Sequence, residues 1–183
     1  MTITPTLLNT LIGIATFGVV FALNSLVEWW IHGKMLHGEE SSPAVVEHNE
    51  HHTGHAKVAY KSVRAGEEYG FGVEMSLKIL LCMTILGFVV SYLLSKGVVL
   101  YTTTATTLFY CWAFGFVHQR LHEPKVEGWF ERTSLYRRLD KNHHIHHGRG
   151  DRNFCIVSPI GDKMMWTFHR PERHRAARID ARL

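Results

Sequence analysis

LLNTLIGIATFGVVFALNSLVEWWIHGKMLH, residues 7–37, decides how this chain is read. From Leu7 to Val27 it carries no charged residue. At about 1.5 Å of rise per residue, a helix over that run matches the hydrocarbon thickness of a bilayer. A secretory signal would open with a Lys or Arg and stop sooner; this run has neither feature, and His32 and His37 follow it directly. The reading is a membrane span near 7–31 that ends in histidines.

Working outward, ILLCMTILGFVVSYLLS (79–95) is a second uncharged run, with Lys78 and Lys96 placed to snorkel at its ends. VVLYTTTATTLFYCWAFGFV (98–117) is a third. Its threonines can bond back onto their own helix, so lipid tolerates them. The break at Lys96-Gly97 makes the two runs a hairpin, with spans near 75–96 and 98–117. Trp29, Trp30, Trp112, Phe114 and Phe116 gather at the ends of the runs, as an interfacial aromatic belt does. The expected fold is all-α: one membrane-embedded domain over 1–183, a bundle of three spanning helices with a histidine-lined cap from 32–73 and 118–183. The competing reading is a soluble bundle with a buried hairpin, which three uncharged runs disfavour. Fourteen of the twenty Lys and Arg lie after residue 117. Positive charge marks the cytoplasmic side, so the N-terminus should face outward and the histidines inward. A helix start is expected at Ser41, Ser42 or Pro43, a glycine-bearing connector over 63–72, and a basic surface tail over 170–183.

With 183 residues, 46% of them hydrophobic and 20% charged, the chain is neither disordered nor long enough for several domains. A formal charge of +4 is basic, but no nucleic-acid-binding signature accompanies it. Cys82, Cys111 and Cys155 are few and far apart, which reads as buried thiols.

Fourteen histidines are the compositional outlier. His48, His51 and His52 stand at i, i+3 and i+4, one face of a helix, and His143, His146 and His147 repeat that spacing. His118 and His122 are an i, i+4 pair. Neutral imidazole is a good ligand for iron, zinc, copper or nickel. His32 and His37 differ, because five residues on an ideal helix turn the side chains about 140° apart. They can share a site only through irregular backbone between 32 and 37, such as a π-type bulge, which Gly33 would help. A lone helical histidine is usually a surface or core residue, and a single HxxHH can be a surface patch. Four such groups beside membrane runs are read as a metal cage. Ten imidazoles exceed one octahedral ion, so the expectation is two metals with about five ligands each. HHIHH also admits a set of 143, 144 and 147. His55 and His144 are weaker candidates beside the site, and His169 and His174 are surface residues. Ligating imidazoles donate their second N–H to carboxylates or carbonyls; Glu28, Glu47, Glu50, Glu123 and Asp140 are near enough in sequence to be such partners, one or two of them at most.

EWWIHGKMLH, EHNEHH, HQRLH and NHHIHH, in that order, resemble the four histidine motifs of the membrane-bound fatty acid hydroxylase and sterol desaturase superfamily. NFCIVSPIGDKMMWTF (153–168) resembles its closing segment, with Cys155 where glycine is common. The resemblance covers roughly residues 25–168. It implies a non-haem di-iron monooxygenase, with two iron ions held by the ten histidines and zinc able to replace them in purified protein. It implies a lipid substrate drawn from the membrane (fatty-acyl, sphingolipid-like, sterol or carotenoid), O2, and a separate electron donor of ferredoxin or cytochrome b5 type, since no haem-binding module is visible. The chain departs in having three expected spans where relatives often have four. Arg120, Arg137, Arg138, Lys141, Arg149 and Arg152 are candidates for an acidic headgroup, though topogenic charge explains most of them. Desaturation on the same cage is the alternative outcome. A membrane metal transporter is the non-enzymatic one, disfavoured because ionisable ligands are absent from inside the runs. The motifs leave the lipid and the oligomeric state open.

Overall fold

Thr4 opens the first helix, α1, Pro5–Trp30. Its hydroxyl accepts the N–H of Leu7 at 3.3 Å, which satisfies one orphan donor of the first turn. Pro5 follows at the first helical position, where no N–H is needed. The structure, a computed structural model, describes residues 4–38, 45–46, 48–49, 52, 85, 87–89, 92, 97–122 and 128–170. The expected helix start at 41–43, the 63–72 connector and the tail beyond Arg170 lie outside these residues.

Helical backbone continues past Trp30 but widens, and Ile31–Leu36 is a π-helix. Pro5–Leu36 together make 32 residues, and among the described residues this is the one helix long and apolar enough to cross a membrane. Leu7, Leu11, Ile14, Val19 and Leu23 point outward along it. The core helix of a soluble bundle would bury them; a lipid-facing helix leaves them on its surface.

Of the second uncharged run, only Ile85, Gly87, Phe88, Val89 and Tyr92 are described, all helical. The third run forms α2, Val98–His122, after a left-handed Gly97 (φ 85°) whose carbonyl accepts the Tyr101 N–H. Five threonines over 102–107 reduce its hydropathy. Thr106 bonds back to the Thr102 carbonyl at 2.7 Å, the arrangement that makes such residues tolerable in lipid.

α1 and α2 pack in parallel. A Cβ at Gly13 would meet Val98 and Thr102 at 3.6 and 3.7 Å. Farther along, the Asn24 amide donates to Thr107 at 3.5 Å, and Phe21 meets Tyr110 edge-on at 5.0 Å. At the far end the Tyr110 hydroxyl donates to Glu28 at 2.5 Å. Both helices therefore end at the same height, and each ends in histidines.

Two shorter helices close that end. α3, Ser134–Gly148, starts at Thr133, whose hydroxyl accepts the Tyr136 N–H at 3.0 Å. Tyr136 and Leu139 bury against Val117, Leu121, Phe130 and Ile156. α4, Ile160–Met164, lies against the last turns of α1. Gly161 is needed there, because a Cβ would collide with the Ser25 carbonyl. Between α3 and α4 the chain is held by Asp162, which accepts the N–H groups of Phe154 and Cys155 at 2.8 and 2.9 Å and the Thr167 hydroxyl at 2.7 Å. Cys111 and Cys155 are buried, as expected, and Cys82 lies outside the described residues. Among the described residues there is no strand.

Candidate metal centre

The π-helix after α1 explains how residues five apart can share a site. Its hydrogen bonds span five residues, so i and i+5 fall on one face. His32 and His37 accordingly stack, with centroids 5.5 Å apart and planes 20° from parallel. The irregular backbone expected between 32 and 37 is present. Gly33 serves the turn by lacking a side chain, since a Cβ would lie 3.1–3.2 Å from the Phe154 ring.

His32, His37, His48, His52 and His146 form one group, each presenting a ligand atom within 4.8 Å of the others. The His37 Nε2 stands 3.1 Å from that of His48 and 3.2 Å from that of His146. The His146 Nε2 is also 3.1 Å from that of His52. His118, His122 and His143 form a second group by the same measure. There the Nε2 atoms of His122 and His143 approach to 2.7 Å, and His147 Nε2 lies 3.1 Å from His143. His147 also stacks on His52 at 4.4 Å, which joins the two groups.

α3 is the shared wall. Its histidines at 143 and 147 face the second group, and the intervening His146 faces the first. Among the described residues the split is five and three, with His147 adjoining the three. His51 and His55 lie outside the described residues. His144 is half-buried on α3 and belongs to neither group.

The protonation states suit metal ligands. Burial, then neighbouring imidazoles, holds His143 and His146 well below the ordinary histidine pKa, and burial lowers His37. These rings are neutral at pH 7. The His146 Nδ1 lies 2.8 Å from the Arg152 carbonyl. A carbonyl only accepts, so Nδ1 carries the proton and Nε2 keeps its lone pair toward the group. The buried His32 has no hydrogen-bonding partner at either ring nitrogen among the described residues. Converging lone pairs around an unsatisfied buried imidazole are the donor set that a divalent transition ion requires.

Among the candidate acids, Glu28 is placed otherwise than its nearness in sequence to His32 suggests. Among the described residues Glu28 bonds no histidine: it accepts the Tyr110 hydroxyl and the Ile156 N–H at 2.6 Å, tying α1, α2 and the closing segment together. Asp140 is buried on α3 one turn before His143. Glu47, Glu50 and Glu123 lie outside the described residues. Among the basic candidates, Arg120 pairs with Glu131 at 3.5 Å and Arg152 donates to the Trp166 carbonyl at 3.2 Å. Arg137 donates to the Arg132 carbonyl at 3.1 Å, while Arg138 and Arg149 are exposed and Lys141 is half-buried. His169 is half-buried, and its backbone N–H donates to the Asn153 side chain at 2.7 Å.

Sequence reasoning missed three supports of the site. Phe154 lies under the first group, 6.0, 5.6 and 5.4 Å from the rings of His32, His37 and His146. Asn153, left-handed at φ 53°, pins the backbone beside it through His169. The Arg152 carbonyl fixes the His146 tautomer. The only signal for Phe154 and Asn153 is the likeness of 153–168 to a closing segment, and Arg152 precedes that stretch.

A family model described as fatty acid hydroxylase matches residues 17–167. No curated protein and no solved structure matches the chain.

Proposed function

The chain belongs to the fatty acid hydroxylase family, and from that premise we propose that it is a membrane-bound di-iron monooxygenase that hydroxylates an aliphatic C–H bond of a lipid. The observation that carries the proposal is the pair of histidine groups meeting at α3, at the end of a long apolar helix.

His32, His37, His48, His52 and His146 would hold one iron, and His118, His122, His143 and His147 the other, with His51 an additional ligand. Zinc would accept the same imidazoles. When bound, the iron pair supplies O2 activation: with two electrons and two protons from a separate donor of ferredoxin or cytochrome b5 type, one oxygen atom enters the C–H bond and the other leaves as water. The chain's own residues keep the ligands neutral, fix the His146 tautomer and pack Phe154 beneath the first group against water. α1, the 75–96 run and the 98–117 run are proposed as spans, with the rest as a cytoplasmic cap and the N-terminus outside. The fourteen Lys and Arg after residue 117 support that sidedness. The lipid tail would reach the site from between the spans while its headgroup stays at the cap, near exposed Arg138 and Arg149.

The test is the lipid profile of cells with and without the chain, alongside His146→Ala. A product heavier by one oxygen, absent with His146→Ala although that variant still inserts, is expected. A product lighter by two hydrogens would make the enzyme a desaturase. Turnover that survives His146→Ala would remove that residue from the ligands.

A further inference from the structure

We infer that Met164, Met165 and Trp166, at the end of α4, form an anchor that enters the headgroup–acyl boundary of the bilayer on the histidine side, so that the closing segment of the site is held by lipid as well as by protein. The inference rests on the reading of α1 as a membrane span.

Three observations converge on it. The first is exposure: Trp166 is 88% exposed, Met164 54% and Met165 42%, three large apolar side chains in succession that the described residues leave open. The second is height. α4 lies on the last turns of α1, with the Gly161 N–H donating to the Ser25 hydroxyl at 2.9 Å and the Trp29 indole N–H donating to Thr167 at 2.9 Å. The outward apolar stripe of α1 runs to Leu23, and Trp30 is the next large exposed residue after it. Tyr110 bonds Glu28, which sets exposed Trp112 at the height of Trp30. Exposed Trp30, Trp112 and Trp166 therefore share one level, at the end of the apolar helix, where indoles favour the membrane–water boundary. The third is backbone. Trp166 has φ 60°, a left-handed conformation unfavourable for a bulky residue. Both its flanks are clamped: Arg152 donates to its carbonyl at 3.2 Å, and the Thr167 and Phe168 N–H groups bond the Asp162 carbonyl at 2.9 and 3.1 Å. The clamp holds this strained backbone in place, and the indole it carries is exposed.

The charge around the patch fits a headgroup region rather than an apolar protein groove. Lys163 precedes the three residues, exposed Arg170 follows, and Lys34 stands 5.8 Å over the Trp29 ring. Apolar side chains flanked by cations on a short element lying at the membrane surface are the composition of an interfacial anchor.

The test uses the full chain reconstituted in phosphatidylcholine–phosphatidylglycerol vesicles, with and without bromine on the acyl chains just below the headgroups. Emission from Trp166 is the difference between the unaltered chain and Trp166→Phe, a replacement at an exposed position that leaves the fold in place. The inference predicts a blue-shifted Trp166 component that loses most of its intensity to the brominated lipid and little to acrylamide. A Trp166 component quenched by acrylamide and untouched by bromine, while the other tryptophans respond to bromine, would overturn the anchor and leave the patch to a protein partner. If no tryptophan responds to brominated lipid, the membrane reading fails and the anchor with it.

Discussion

Asp162 shows how much a single carboxylate does near this site. At 1% exposure it accepts two backbone N–H groups and the Thr167 hydroxyl, and thereby shapes the loop that carries Phe154 beneath the first histidine group. Each buried donor left without an acceptor costs about 1–3 kcal/mol, so Asp162→Ala is expected to destabilise the chain by about 3 kcal/mol or more. Asp162→Asn, which keeps one acceptor, should cost about half of that. Thermal unfolding in detergent, with the two variants compared, checks both the size and the order. Neither Asp162 nor Asn153 announces this role locally. Their partners are 5 to 16 residues away and depend on a left-handed turn that the neighbouring sequence does not specify. The histidines are different. Spacings of four place side chains on one helical face whatever the tertiary structure, so the pairing of His118 with His122 and of His143 with His147 was legible from the chain alone. Glu28 shows the limit of that reasoning. It lies four residues before His32, yet its carboxylate turns toward α2 and the closing segment.

At the scale of elements, the π-helix over Ile31–Leu36 is the feature most directly inferable from spacing. Two ligands five residues apart converge only if the helix widens, and it does. A π-turn is one extra residue accommodated within an α-helix. Deleting exposed Met35 should therefore return the segment to α-helical geometry with the two histidines at i, i+4, still on one face, and retain most of the metal. Inserting an alanine after Met35 should rotate His37 away and lose about one metal per chain while leaving the second group loaded. Metal content of the two purified variants decides it; equal loss from both would mean the π-turn does more than set spacing. The division of α3 between the two groups was less accessible. An HxxHH motif offers three rings on one broad face, and only the position of α1 and α2 determines that 146 turns one way while 143 and 147 turn the other.

Across the whole molecule, parallel α1 and α2 bring distant segments to one end, and burial there makes the histidines collectively sensitive to acid. His143 and His146 have folded pKa values below the ordinary value of about 6.5 that they regain on unfolding. The unfolded chain therefore binds more protons once the pH drops to that range, and stability should be retained above it and lost as pH falls through it. Melting temperature measured at pH 8 and again at pH 5.5 should show a decrease; no change would mean these rings are solvated rather than enclosed. The helical class and the first long apolar helix were legible because a long uncharged run can satisfy its backbone away from water in few ways. The parallel pairing was not, since it depends on Gly13, Asn24 and Glu28 meeting partners more than eighty residues away. The measurement closest to the centre of the account is metal stoichiometry of the intact chain, purified from iron-supplied cells. Two groups of imidazoles predict about two metal ions per chain, falling to about one when His122 and His143 are both replaced by alanine. A full-length, folded chain with no bound metal, or with one ion that survives those replacements and the loss of His146 alike, would contradict it.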